Sequence, residues 1–254
     1  MDLGLKGHRV IVTAGASGIG KVIAEGFRDE GATVTICDID EQALEGVQGM
    51  RTAKVDVSDR DAVTRFMGDT IAQMGGLDCL VNNAGIAGPT GGVEDIAPDG
   101  WDDTLQVCLT SQFNTTRVAV DALKASANGS IINLSSLAGR VGFALRSPYA
   151  AAKWGVIGFT KSLALELGPY GVRANAILPG LVAGDRQRRV LEAKSQRLGQ
   201  SYEETEVAAF SHVSIKDYVT PQQIADQCLF LASTRGRTIS GQAISICGDT
   251  QKLA

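Results

Sequence analysis

The sequence predicts an α/β fold: a seven-stranded, mostly parallel sheet, doubly wound, with helices on both faces. Three observations carry this. Short runs rich in β-branched residues alternate with longer segments whose apolar residues recur every three or four positions, the pattern of βαβ units. The first such run leads directly into a glycine-rich stretch, Gly15-Ala16-Ser17-Gly18-Ile19-Gly20, that opens a helix. At 254 residues, 44% hydrophobic and 20% charged, the chain is long enough to bury a large core and is read as one domain spanning 1–254.

Taken in order, the strands are expected at 8–13, 33–38, 51–56, 78–82, 129–135, 172–178 and 242–247, each a short apolar run such as Val10-Ile11-Val12 or Ile131-Ile132. Between them the helical period appears at 18–30, 40–47, 59–74, 99–126, 147–168 and 220–232. The segment from Gly180 to Asp217 breaks this rhythm. It is polar and helical in pieces, with no strand of its own, and a long excursion between core elements predicts a substrate lid.

Composition removes several function classes. A formal net charge of −4 and a pI near 5.3 leave no electrostatic footprint for nucleic acid, and the one dense basic run, Arg186 to Arg189, is short. No apolar stretch approaches the ~20 residues of a membrane span, and no signal-type apolar core precedes the first strand, so the expected location is cytoplasmic. The five cysteines, Cys37, Cys79, Cys108, Cys228 and Cys247, are scattered, and His8 and His212 stand far apart. Neither a disulfide framework nor a metal site is expected.

The glycine-rich turn sits where a phosphate site requires it. Glycines let the backbone approach a pyrophosphate, and the helix that follows offers free N–H groups with partial positive charge. Asp38 ends the second strand at the spacing expected of an acidic residue that accepts hydrogen bonds from an adenosine ribose. It would repel a 2′-phosphate, and Ala16, Ser17 and Ile39 offer no cation to offset that, so the expected cofactor is NAD rather than NADP. The competing reading is that Asp38 only caps the next helix. Asp56-Val57 and Asn82-Asn83-Ala84-Gly85 close the third and fourth strands, at the carboxyl ends where ligands sit in such sheets.

Tyr149 and Lys153 lie four residues apart, which on a helix puts a phenol and an ammonium on one face. A cation beside a phenol favours the ionised phenolate, a device for proton transfer. The spacing alone is common. It gains meaning because the chain, over almost its whole length, resembles the short-chain dehydrogenase/reductase family in its single-domain form. That family's TGxxxGxG appears at Thr13 to Gly20, its NNAG at Asn82 to Gly85, and its YxxxK at Tyr149 to Lys153.

The resemblance implies a Rossmann-type fold and hydride transfer between a carbinol carbon and a nicotinamide. It implies Ser136, Tyr149 and Lys153 as the catalytic set: Tyr149 exchanges the substrate proton, Lys153 supports it and the nicotinamide ribose, and Ser136 binds the reacting oxygen. Ser135 is read as structural. The implied cofactor contacts are Gly15, Ser17, Gly18, Ile19 and Gly20 in the first turn, with Asp38, Asp56 and Val57 at the adenosine end. Asn83, Ala84 and Gly85 follow, and Tyr149, Lys153, Pro179, Gly180 and Val182 lie at the nicotinamide end.

Three departures from the family pattern stand out. Cys108 occupies the place of an Asn that supports a proton-conducting water, and a thiol is a poor donor and acceptor, so that side-chain contribution is expected to be lost; the competing reading is a packed Cys whose backbone carbonyl still holds the water. Asn114 is badly placed on a helix to replace it. Gly184 stands where a threonine often contacts the carboxamide, which moves that contact to backbone groups. Cys247-Gly248-Asp249 replaces Asp-Gly-Gly, a change expected in a turn or subunit contact.

Substrate contacts are expected from Ser136, Tyr149, Arg146 and Arg186, with Arg140, Arg188 and Arg189 near the same mouth. Arginines there suit a carboxylate, phosphate or sulfonate, while an Arg run on a helix also serves as a solvated face, and a sugar, polyol or cyclic alcohol remains open. Two other readings compete: a 3-oxoacyl-carrier-protein reductase, which Asp38 opposes, and an NAD-binding sensor or assembly subunit, which the intact Ser136, Tyr149 and Lys153 oppose. The resemblance implies a homo-oligomer, a tetramer before a dimer, associating through the helices near 99–126 and 147–168.

Overall fold

The computed structural model describes residues 2–253. Along the chain run β1 (Arg9–Thr13), α1 (Gly18–Asp29), β2 (Thr33–Asp38), α2 (Glu41–Glu45), β3 (Arg51–Lys54), α3 (Arg60–Met74) and β4 (Cys79–Asn82). Then follow α4 (Pro98–Leu105), α5 (Ser111–Lys124), β5 (Ser130–Leu134), α6 (Ser147–Leu167), β6 (Arg173–Pro179), α7 (Asp185–Leu198), α8 (Tyr202–Phe210), α9 (Pro221–Ala232) and β7 (Ala243–Ile246). The seven strands form one sheet in the order β3-β2-β1-β4-β5-β6-β7, and every pairing is parallel.

The alternation of side chains along the strands builds two cores. Val10 and Val12 face one side with Ile23 and Phe27 of α1 and Ile224 and Leu229 of α9. Ile11 faces the other with Met67 of α3, Leu123 of α5 and Leu163 of α6. Both faces are thus covered, which is why the strands read as continuous apolar runs. Burial pushes the Cys37 and Cys79 thiols up to about 12, so both serve as neutral core residues.

The chain reverses its winding between β1 and β4, so a crevice opens at the carboxyl ends of these two strands. Two expected boundaries shift. β3 stops at Lys54, because Asp56 turns the chain by accepting from the Ser58 amide and hydroxyl at 2.8 and 2.7 Å. The expected helix 99–126 is broken by a π-helical turn at Gln106–Thr110, which separates α4 from α5. The excursion 180–217 holds α7 and α8 and no named strand; single bridges at Val182–Val219 and Val213–Thr250 tie it down.

At the amino ends of the strands, Arg9 Nε and Nη2 donate to Asp78 at 2.8 and 2.7 Å, and Ser126 Oγ donates to it at 2.6 Å. Burial pushes this carboxyl up, but these donors outweigh it and hold it at about 2. A carboxyl that titrates lower folded than unfolded contributes stability above its unfolded value, near pH 4, and loses it as pH falls through about 2. Asp78→Asn is therefore expected to cost about 2 kcal/mol at pH 7. Thermal unfolding of both proteins between pH 7 and 2.5 checks this: the gap should close toward the acid end, and a gap independent of pH would refute it.

Candidate active site

The loops leaving β1 and β4 are bolted together at the crevice. Thr13 Oγ1 accepts from the backbone N–H groups of Asn83 and Ala84, both at 3.0 Å. Asn83 Nδ2 donates back to the carbonyls of Thr13 and Ala14 at 3.0 and 2.9 Å. Two glycines of the turn are required by packing. A Cβ on Gly15 would stand 2.7 Å from Ile36, and one on Gly20 would stand 2.1 Å from the Ala14 carbonyl oxygen. Gly18 instead has φ +52° and faces open space.

Ser17, the N-cap of α1, makes no side-chain cap bond, and no acidic residue occupies the first turn. The first N–H groups of α1 are left free beside open space, a donor set that fits a diphosphate. Asp38 is buried, accepting from the Ala16 amide at 3.1 Å and the Asp40 amide at 3.2 Å. Asp40, and not Asp38, caps α2 through the Ala43 amide at 3.0 Å. The helix-cap reading of Asp38 is thereby replaced: its carboxylate braces the glycine-rich turn and lines the crevice.

A single cavity of about 720 Å³ joins the expected positions. It runs from Asp38, Asp56 and Val57, past Ser17, Gly18, Ile19 and Gly20, along Asn83, Ala84 and Gly85, to Ser136, Tyr149, Lys153, Pro179, Gly180 and Val182. Gly15 is the exception. It packs against Ile36 behind the turn and does not line the cavity.

At the end of the cavity away from Asp38, α6 presents Tyr149 and Lys153 from its first turns. Lys153 is 3% exposed; its Nζ donates to the Leu134 carbonyl at 2.7 Å and lies 5.6 Å from the Tyr149 ring centroid. Ser136 has an extended backbone, and its Oγ accepts from the Ala138 amide at 3.1 Å. That bond occupies a lone pair and leaves the hydroxyl proton for a ligand. Ser135 is buried and donates to the Lys153 carbonyl at 2.8 Å, the structural role expected of it.

Cys108 packs at the break between α4 and α5. It lies in the π-turn, fully buried, and its thiol takes both polar groups of Ile86: the amide donates to Sγ and Sγ–H reaches the carbonyl, each at 3.4 Å. The side chain therefore keeps a polar tie to the loop after Gly85, because sulfur's longer reach spans the gap. Gln112 was not legible as a site residue. From one turn beyond Cys108 its Nε2 donates to the carbonyls of Cys108 and Leu134 at 3.2 and 3.3 Å, so Gln112 and Lys153 share the Leu134 oxygen. The i, i+4 spacing from Cys108 was the available signal.

The arginines divide. Arg140 does not reach the mouth: its guanidinium donates to Ser245 Oγ at 2.9 Å and to the Ala243 carbonyl at 2.6 Å, clamping β7. Arg188 pairs with Glu192 at 2.9 Å on the solvated face of α7. Arg146 is buried in the cavity wall and is not at an open mouth, while Arg186 and Arg189 line the cavity from α7. Gly184 has φ +135° at the start of α7, a conformation that a threonine there would adopt only with strain. The Gly248-Asp249 turn holds the end of the excursion, its carbonyls accepting from Ile215 and Ser214 amides at 2.9 and 3.3 Å.

Known proteins are similar to this chain in sequence and fold. The profile of the family described as enoyl-(acyl carrier protein) reductase matches residues 13–248. Trans-4-hydroxycyclohexanecarboxylate dehydrogenase of Sinomonas cyclohexanicum is 36% identical, over 94% of this chain and 90% of its own. The 3-oxoacyl-[acyl-carrier-protein] reductase of Thermotoga maritima is 35% identical, over 96% and 98%. Among solved structures, a variant of actinorhodin polyketide ketoreductase with NADPH superposes with a TM-score of 0.89 at 31% identity, covering 95% of this chain and 96% of that one. Fold, site and relatives define an oxidoreductase that uses a nicotinamide cofactor and acts on CH–OH groups. The chain belongs to the short-chain dehydrogenase/reductase family. No helix among the described residues is long and apolar enough to cross a membrane.

Proposed function

We propose that this protein is an NAD-dependent dehydrogenase of a small secondary alcohol, drawn from sugars, polyols, hydroxy acids or cyclic alcohols, with Ser136, Tyr149 and Lys153 as its catalytic set. The observation that carries the reading is that these three side chains line the same cavity as the buried carboxylate of Asp38. The nicotinamide, when bound, supplies the hydride acceptor.

Tyr149 takes the hydroxyl proton of the substrate, its own hydroxyl having no protein hydrogen bond among the described residues that would compete. Ser136 donates its free hydroxyl proton to the reacting oxygen and positions it. Lys153 spends one N–H on the Leu134 carbonyl, which leaves two for the phenol oxygen and the cofactor ribose. Pro179, Gly180 and Val182 shape the nicotinamide end, and segment 180–217 acts as the lid. Phe113, Trp154 and Leu165 expose 44%, 52% and 81% of their surface on α5 and α6, the helices through which we propose association into a homo-oligomer.

The Thermotoga relative favours a second reading, reduction of a 3-oxoacyl thioester. Asp38 opposes it, since a buried carboxylate at the ribose end repels a 2′-phosphate. Both are tested by one screen: reduction of NAD+ and NADP+ with sugars, polyols, hydroxy acids and secondary alcohols, and oxidation of NADH and NADPH with an acetoacetyl thioester. We expect kcat/KM for NAD+ to exceed that for NADP+ by about 100-fold, and Asp38→Ala to narrow the ratio by about 10-fold, the scale of hydrogen bonds to a charged group. A wild-type preference for NADP+ would overturn the cofactor assignment.

A further inference from the structure

Arg146 is 4% exposed, yet among the described residues no carboxylate lies within ion-pair distance of it. The one hydrogen bond of its guanidinium among the described residues runs from Nη2 to the Ala87 carbonyl, and its Nε is buried without an acceptor. The guanidinium stands 5.5 and 5.4 Å over the rings of Phe143 and Tyr149. Burial lowers its proton affinity from the ordinary value, and the charge of Arg186 adds to that lowering, so the two cations lie within electrostatic reach of each other. Buried charges are ordinarily paired, and an unpaired one carries a large desolvation cost.

The exposed Arg186 side chain makes a single hydrogen bond among the described residues, to the Gly85 carbonyl at 3.2 Å. Beside the main cavity a smaller one of about 410 Å³ is lined by Arg146, Arg186 and Arg189 together with Ile86, Ala87 and Val190, and no acidic side chain faces it. The nearest acid in sequence, Asp185, lines only the main cavity and pairs with none of these arginines. Arg146, Arg186 and Arg189 all line this space, with the Arg146 guanidinium beside the Tyr149 ring, and none of the three forms an ion pair among the described residues.

We propose that this arginine pocket binds the carboxylate of the substrate, so that the secondary alcohol oxidised at Tyr149 is a small hydroxy acid, held by Arg146 and Arg186. This rests on the dehydrogenase reading above and narrows its substrate class. A carboxylate meets planar guanidinium donors with charge-assisted hydrogen bonds, and it relieves the repulsion between the two cations. The aromatic faces of Phe143 and Tyr149 then fix Arg146, so the distance from carboxylate site to phenol sets which hydroxyl is presented.

The test separates this from the parent reading by measuring binding as well as turnover. The NADH-loaded protein is titrated with cyclohexanecarboxylate, its methyl ester and inorganic phosphate, and kcat/KM is compared for 3-hydroxybutanoate and its methyl ester. We expect the acids to bind and react better than the esters, and Arg186→Met to reduce acid affinity about 10- to 100-fold more than ester affinity, with Arg186→Lys recovering part of it. Arg186 is exposed, so folding is not at stake. Equal losses for acid and ester, no binding of the carboxylate, or tighter binding of phosphate would each overturn the proposal. Carboxylate binding without turnover of any alcohol would sustain the pocket and overturn the dehydrogenase reading instead.

Discussion

Tyr149→Phe is expected to lower kcat by about 10²- to 10⁴-fold, the span of a positioned general acid or base, while leaving NADH affinity and thermal stability close to wild type. The substitution keeps the ring and removes one oxygen. Arg146 still packs over the face at 5.4 Å and Lys153 Nζ still lies 5.6 Å from the centroid, so the cavity wall is preserved. Since the phenol makes no hydrogen bond to the described chain, its removal leaves no buried partner unsatisfied. Steady-state kinetics, NADH fluorescence titration and a melting curve measure the three quantities. Turnover at the wild-type rate would show that another group moves the proton. A loss of NADH binding would show that the variant had disturbed the cavity, and not its chemistry alone.

What made this site readable was local spacing. Asp38 lies at a strand end, Ser17 to Gly20 open a helix, and Tyr149 and Lys153 share a helix face; each relation holds within one element or one turn, so the sequence states it directly. Gln112 was hidden because its role exists only where three separate segments meet: the π-turn at Cys108, the end of β5 at Leu134 and the α6 lysine. The π-turn itself escaped because one extra residue barely disturbs a 3.6-residue period across 99–126. Arg140 and Arg146 both lie between Ser136 and Tyr149 in sequence, but the fold sends Arg140 to β7 while Arg146 lines the cavity. The family pattern groups Gly15 with the cofactor contacts of its neighbours, whereas the approach of β2 is what requires a glycine there. The edges of elements behave similarly: Asp56 ends β3 early by side-chain bonds from the Ser58 amide and hydroxyl, a competition that hydrophobic period does not record.

Gly20→Ala should abolish productive nucleotide binding through one methyl group. A Cβ at this position would stand 2.1 Å from the Ala14 carbonyl oxygen and 2.4 Å from Asn83 Nδ2, and these two atoms are themselves hydrogen-bonded at 2.9 Å. Backbone on one side and a committed amide on the other leave no flexible group to yield. The methyl therefore pries apart the brace between the β1 and β4 loops, and the first turn of α1 moves with it. Overpacking costs about 1–3 kcal/mol and each lost charge-assisted bond from the helix N-terminus about 1.5–3, so NADH affinity should fall by about 100-fold or more. Gly18→Ala supplies the contrast within the same turn. Its Cβ meets nothing within 4 Å, but its φ of +52° penalises a side chain by about 1–2 kcal/mol, a smaller loss with no broken brace. Fluorescence titration with NADH, alongside melting curves for both variants, should rank Gly20→Ala far below Gly18→Ala in affinity. If the two variants bind alike, the Asn83 brace is not what holds the phosphate turn in place.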